Sequence, residues 1–275
     1  MPELPEVETV VRDLRPLLIG RTLQGVRRSP HALRQPWSPA WEPLLTGQIV
    51  AAVHRRGKWI LVELGGGAFL MVHLGMTGQF TVRAAGVPGE THTHLVFPLD
   101  NSAELRFRDI RRFGSVTYFA DRPTWESYLS GKLGPEPWDM DPKAWRALLK
   151  STKRNLKAIL LDQTLIAGVG NIYVDESCHA AKLDPRRTGE SLTAAEANRL
   201  LTKIRQVLTS AIDSRGSTIR DYVGGSGLQG GFQREFRAYG RTGEPCPTCG
   251  VPIERVRVAG RSSHFCPQCQ RVAAG

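Results

Sequence analysis

Cys246-Pro247-Thr248-Cys249 is followed, sixteen residues later, by Cys266-Pro267-Gln268-Cys269. Two thiol pairs at this spacing match a closed tetrahedral zinc site, in which no coordination position is left for a substrate. A pair of redox dithiols is the alternative. Between the pairs, Ile253 to Val258 and Ser262 to Phe265 can form a hairpin that turns at Ala259-Gly260, so the segment reads as a zinc ribbon with a structural metal. Arg261 follows the turn, where a zinc-held hairpin would fix a cation in place; ordinary solvation explains a lone arginine equally well. The fifth cysteine, Cys178, falls in a helical run and reads as core.

Working back from the ribbon, Gly216 to Gly231 carries six glycines and few apolar anchors, which suits a mobile loop or lid. Before it lie three helical runs: Leu156, Ile159 and Leu160 mark the first, Asn171 to Ala181 the second, and Thr193 to Arg215 the third. Thr193 and Glu196 are spaced as a capping box, and Gly216 follows the last run. Gly131 to Pro142, rich in Pro and Gly, reads as linker. Residues 22 to 120 carry short β-like runs, among them Lys58 to Leu64, Ala68 to Leu74, His94 to Leu99 and Ser115 to Ala120. Gly65-Gly66-Gly67 is a hairpin turn between the first two. Residues 5 to 18 have amphipathic helical spacing, with Gly20 suited to the helix end and Pro16 expected to kink or shorten it.

The 275 residues are 41% hydrophobic and 23% charged, a globular balance that excludes disorder. No apolar run approaches the roughly 18 residues of a membrane span, and the Pro-bearing, acidic N-terminus is no secretory signal. Five cysteines in a chain this long suit a reducing cytosol. Lys and Arg exceed Asp and Glu by 37 − 26 = +11, which points to a polyanionic partner, with nucleic acid the commonest.

Three further stretches carry chemistry. Ile166-Ala167-Gly168-Val169-Gly170-Asn171 opens a helix with free N–H groups suited to a phosphate, although a plain helix–loop–helix corner would read the same. Arg106 to Gly114 interleaves cations with aromatics, as a DNA wedge or as half-buried strand phenylalanines. Once Met1 is removed, Pro2 is a secondary amine able to form an iminium with a sugar carbon, and Glu3 beside it can act as an acid.

Taken together, these residues resemble the formamidopyrimidine-DNA glycosylases, bacterial base-excision repair enzymes. The resemblance runs in order through Met1 to Glu8, Gly57-Lys58, His73 to Gly78, Asp109 to Gly114, Asp162-Gln163 to Tyr173, and the ribbon. It implies an α+β multidomain fold: an N-terminal β-sandwich with flanking helices (1–130), a linker (131–149), a helix–two-turn–helix domain with the lesion loop (150–240) and a zinc finger (241–275). It implies that Pro2 is the nucleophile at C1′, that Glu3 protonates the sugar ring oxygen, and that Lys58 and Arg261 complete the catalytic set. Met76, Arg111 and Phe113 would fill the hole left by the flipped base. His73, Lys157, Asn171, Ser217 and Thr218 would complete the DNA contacts, and Cys246, Cys249, Cys266 and Cys269 would hold one structural zinc. The implied activity is removal of oxidised purine followed by β,δ-elimination. The implied partner is double-stranded DNA carrying an oxidised base, lying between the domains and bound by a monomer at the bacterial nucleoid, away from any membrane.

The nearest rival is the related endonuclease VIII class, which removes oxidised pyrimidines with the same nucleophile; Leu4, Arg111 and Phe113 favour the purine group. A non-catalytic DNA-binding protein is the rival of another class, and it has no need of Pro2, Glu3 and Lys58 together.

Overall fold

Helix α1 (Leu4–Leu18) forms where Val7, Val10, Val11, Leu14 and Leu18 share one stripe, all five without exposed surface. Pro5 sits in the first turn, where its missing N–H is tolerated. Pro16 lies in the last turn, and the helix runs two residues past it before ending at Ile19, whose N–H still donates to Arg15 O. The computed structural model describes residues 1–218 and 223–271.

The strands β1 (Arg27–Arg28), the one-turn helix α2 (Glu42–Leu45), and β2 (Val50–Arg56), β3 (Trp59–Leu64), β4 (Phe69–His73), β5 (Gly78–Ala84), β6 (Thr93–Pro98), β7 (Ala103–Asp109) and β8 (Ser115–Phe119) follow in order. They form two four-stranded antiparallel sheets, β1-β6-β7-β5 and β2-β3-β4-β8. One core joins them: Ile60, Val62, Leu70 and Val72 of one sheet, Phe80, Phe97, Leu105 and Phe107 of the other, and the apolar stripe of α1. Strand β4 is buried on both faces because α3 (Arg122–Leu129) covers its outer side, with Trp125 edge-on to Phe69 at 5.8 Å. Asp121 caps α3 by accepting from Thr124 N–H at 2.8 Å.

Residues 142–149 correct the expected linker. They form α4 (Pro142–Lys150), started by Asp141, which accepts from Ala144 N–H, with Pro142 at the first position. Trp145 and Leu149, four apart, are buried, and Trp145 Nε1–H donates to Ala197 O at 2.9 Å. The stretch before it is also pinned: Gly134 N–H donates to Gln163 O and Ala167 N–H to Pro135 O. Helices α5 (Leu156–Leu161), α6 (Asn171–Ala181) and α7 (Ala194–Asp213) share a second core with α4, including Leu156, Ile159, Tyr173, Cys178, Leu200 and Ile204. The Thr193–Glu196 capping box starts α7: Thr193 N–H donates to Glu196 Oε2 at 2.8 Å and Glu196 N–H to Thr193 Oγ1 at 3.2 Å. Strands β9 (Glu254–Val258) and β10 (Arg261–Phe265) form the ribbon hairpin, turning through Ala259 and Gly260 at φ +50° and +72°.

The chain divides into two units. The first holds residues Met1–Ser130 and takes back Ser214–Gly231; the second holds Gly131–Asp213 and the chain from Phe232 onward. The glycine-rich segment therefore groups with the N-terminal sheets rather than with the helices that flank it in sequence. No described helix is long and apolar enough to cross a membrane.

Candidate active site and zinc centre

Pro2 and Glu3 are buried at the N-terminal end of α1, where the orphan N–H groups and the helix dipole favour negative charge. Glu3 N–H donates to Glu6 Oε2 at 2.9 Å. Lys58 occupies the two-residue β2–β3 turn after Gly57, whose φ of +56° a side chain would disfavour. Lys58 is 6% exposed. This turn is tied to the same helix: Arg55 donates from Nε to Glu8 Oε2 at 2.9 Å and from Nη1 to Gly57 O at 3.2 Å. Glu8 and Arg55 thus set Lys58 relative to α1, and nothing in their spacing of 47 residues announces it.

His73 ends β4, with its ring 4.7 Å from that of Trp59. Burial, then the charges of Lys58 and Arg34, lower its pKa to about 4, so it is neutral at neutral pH. Its Nδ1 accepts Gly75 N–H at 3.0 Å, which places the ring proton on Nε2 as a donor.

The next turn and the loop after β7 meet. Met76 and Phe113 are 41% and 43% exposed, Arg111 Nη1 lies 3.0 Å from Met76 Sδ, and the Arg111 guanidinium lies 4.5 Å from the Phe113 ring centre. The buried anchor is Asp109. Its Oδ1 accepts from Thr77 Oγ1 and Arg111 N–H, and its Oδ2 accepts from Gly114 N–H at 2.7 Å. Gly75 (φ +60°) comes so close that a Cβ there would lie 2.6 Å from Gly114 N. Arg106 and Phe107 do not belong to this loop: both lie in β7, Phe107 in the core and Arg106 paired with Glu104.

Ser217, read from the sequence as a DNA contact, is 4% exposed here and donates its N–H and hydroxyl to Glu6 Oε1. Thr218 Oγ1 accepts Gly230 N–H at 2.8 Å. Residues 219–222, the centre of the expected lesion loop, lie outside the described residues.

In the second unit, Asn171 is the first residue of α6, and its Oδ1 is buried with no hydrogen-bond partner among the described residues. Gln163 shapes the turn before it, donating to Val169 O at 2.8 Å and accepting Gly168 N–H at 2.9 Å. Lys157 corrects an expectation: it has no exposed surface. Its ammonium pairs with Asp175 and reaches Asn171 O and Ser262 O, at 3.5 and 3.3 Å. A buried charge needs such a partner, and here the lysine ties the β10 hairpin to the start of α6. Asp175 Oδ2 completes the clasp by accepting His264 N–H at 2.9 Å. Arg261, next to Ser262, is exposed.

The four ribbon sulfurs lie within 4.8 Å of one another. Burial opposes the Cys246 thiolate, yet hydrogen bonds from His179 and the Thr248 and Cys249 N–H groups bring its pKa to about 5. Burial and the neighbouring sulfurs of Cys249 and Cys266 push Cys269 up to about 12. Four sulfurs this close do not all ionise unless a dication sits among them, and the N–H···S bonds from Thr248 to Cys246 and from Cys269 to Cys266 suit thiolate ligands. The cluster is a structural zinc site.

Comparison with known proteins agrees along the whole chain. Residues 1–116 match the formamidopyrimidine-DNA glycosylase N-terminal domain, 133–223 the formamidopyrimidine-DNA glycosylase H2TH domain, and 243–272 the zinc finger found in FPG and IleRS. The chain is 48% identical over 262 residues to a formamidopyrimidine-DNA glycosylase of Moorella thermoacetica, covering 94% of this chain and 95% of that one. It is 44% identical over 275 residues to that of Geobacillus kaustophilus, covering 98% and 100%. A Lactococcus lactis FPG mutant solved with a Fapy-dG-containing DNA is similar at a TM-score of 0.92 and 36% identity, over 98% of this chain and 100% of that one.

Proposed function

The chain belongs to the formamidopyrimidine-DNA glycosylase family, and from that premise we propose how its own residues excise oxidised purines in base-excision repair. The carrying observation is the buried Pro2-Glu3 pair at the head of α1, with Lys58 held on a turn tied to that helix through Arg55 and Glu8. With Met1 removed, the Pro2 amine forms a bond to C1′ of the lesion nucleotide as the bond from C1′ to the base breaks, and the base departs with a proton. Glu3 supplies a proton to the sugar ring oxygen, opening the ring to an iminium. The iminium acidifies C2′–H, whose proton passes to water as the 3′ phosphate leaves by β-elimination; the conjugated iminium so formed acidifies C4′–H, and loss of that proton expels the 5′ phosphate by δ-elimination. Lys58 and Arg261 serve those steps. Met76, Arg111 and Phe113 occupy the space of the extruded base, and His73 Nε2–H and Asn171 hold phosphates. The protein works as a monomer on double-stranded DNA in the bacterial cytoplasm, at the nucleoid.

Borohydride tests the reading. Protein lacking Met1, incubated with an 8-oxoguanine duplex and borohydride, should give a covalent adduct that mass spectrometry places on Pro2. A variant with one extra residue before Pro2 should bind the duplex but neither cross-link nor cut. No adduct from a free Pro2 on an intact lesion duplex overturns the assignment, and an adduct on oxidised pyrimidine alone moves it to the endonuclease VIII class.

A further inference from the structure

The described residues of Ser214–Gly231 are fastened to one face of α1 through Glu6 and Asp13. Ser217 donates its N–H at 2.8 Å and its hydroxyl at 3.1 Å to Glu6 Oε1. Asp13 Oδ2 accepts Arg215 Nη2–H at 2.7 Å from the segment's start and Ser226 Oγ–H at 2.9 Å from further along it. Glu6, Val10, Asp13 and Leu14 are spaced to share that face. The approach leaves no room for side chains. A Cβ on Gly216 (φ +73°) would lie 2.9 Å from Glu6 Oε1, one on Gly224 2.3 Å from Asp13 Oδ2, and one on Gly225 2.9 Å from Val10 O.

Glu6 does a second thing with its other oxygen. Oε2 accepts the Glu3 N–H at 2.9 Å, and Glu6 is 2% exposed. That N–H lies in the planar peptide linking Pro2 to Glu3, so holding it fixes the plane that carries the Pro2 Cα. We propose that Glu6 is a positioning residue for the reaction: one carboxylate sets both the Pro2–Glu3 peptide and the start of the glycine-rich segment. This rests on Pro2 being the nucleophile. The two oxygens each accept from backbone N–H, which a carboxylate can do and an amide cannot. In Glu6→Gln, one oxygen can keep the bond to Glu3 N–H and with it the helix cap, while the amide N–H₂ faces the Ser217 N–H and loses that bond.

The test uses the full chain lacking Met1. Glu6→Gln should slow single-turnover base removal from an 8-oxoguanine duplex by roughly 10- to 100-fold, the size expected when a reacting group shifts by about 1 Å. Its affinity for a tetrahydrofuran abasic duplex should stay within about threefold of the parent, because an interaction that matters at the chemical step is lost from the rate and not from binding. Gly216→Ala, with Glu6 intact, should show the same split, because its Cβ displaces that carboxylate. A parental rate in Glu6→Gln, or a fall in rate matched by an equal fall in affinity, overturns the proposal. If the parent protein itself forms no borohydride adduct, the nucleophile reading fails and takes this one with it, whereas a normal parental adduct with an unimpaired Glu6→Gln sinks this one alone.

Discussion

Asp109 shows what a single buried carboxylate does here. It has no exposed surface, and it holds Arg111 and Gly114 by their backbone N–H groups and Thr77 by its hydroxyl. Asp109→Asn leaves an N–H₂ against one of those donors, a loss of about 1–3 kcal/mol for an unsatisfied buried group. The variant should melt earlier, and, if the loop it frees fills the space of the extruded base as proposed, it should lose more affinity for a lesion duplex than for a duplex that already has an abasic gap. Equal losses on both duplexes would show that Asp109 serves stability alone. His73 makes a pH prediction. Its folded pKa of about 4 lies below the ordinary 6.5, so the unfolded chain takes up the proton first as pH falls. The stability it lends is complete above that ordinary value and drains away toward the folded one. The melting-temperature gap between the parent and His73→Asn should therefore narrow from pH 7 to pH 4, and a constant gap refutes the assignment.

At the scale of elements, the apolar cluster around the ribbon sulfurs is small, Ile253 with Cys246 and Cys266, although the hairpin also buries Val258 and Phe265. Metal affinity is then folding energy. A chelator that strips zinc should unfold residues 246–269 and weaken DNA binding, with circular dichroism and a duplex titration as the readouts. Normal DNA binding by Cys246→Ser, or a protein without zinc by metal analysis, would refute this. The hairpin also depends on the helices, since Lys157 and Asp175 reach Ser262 and His264. In the zinc-loaded protein the β10 end should therefore be better protected from hydrogen exchange than the Cys246–Cys249 turn.

Over the whole molecule, the +11 charge makes DNA affinity a function of salt, with a log–log slope near 0.9 for each phosphate neutralised. Lys58→Ala and Arg261→Ala should each lower that slope, and Asn171→Ala should weaken binding at constant slope. Lys157→Ala separates two roles. A buried ion pair broken on one side loses about 3–5 kcal/mol of stability, so this variant should melt early yet keep the parental salt slope. A reduced slope would return Lys157 to the phosphate contacts.

The helical stripe of α1, the runs that became β3, β4, β6 and β8, the α7 capping box and the four-cysteine ribbon were legible because each is a local pattern, decided by residues within a few turns or pairs of one another. Pro2-Glu3, Met76, Arg111 and Phe113 likewise stand out in the sequence as short motifs, and the roles given to them are part of the proposed function. Helix α4 was missed because its Pro- and Gly-rich lead-in hides an Asp141-Pro142 start and an i, i+4 pair of buried residues. The rest is tertiary. Burial decided that Lys157 faces Asp175 and not solvent, that Ser217 faces Glu6, and that Phe107 belongs to the core. Lys157 and Ser217 lie 18 and 211 residues from those partners, and Arg55 lies 47 from Glu8. A sequence names which side chains carry charge and hydrogen-bonding capacity. Which of them are desolvated, and so must be paired inside, is set only when distant segments close over them.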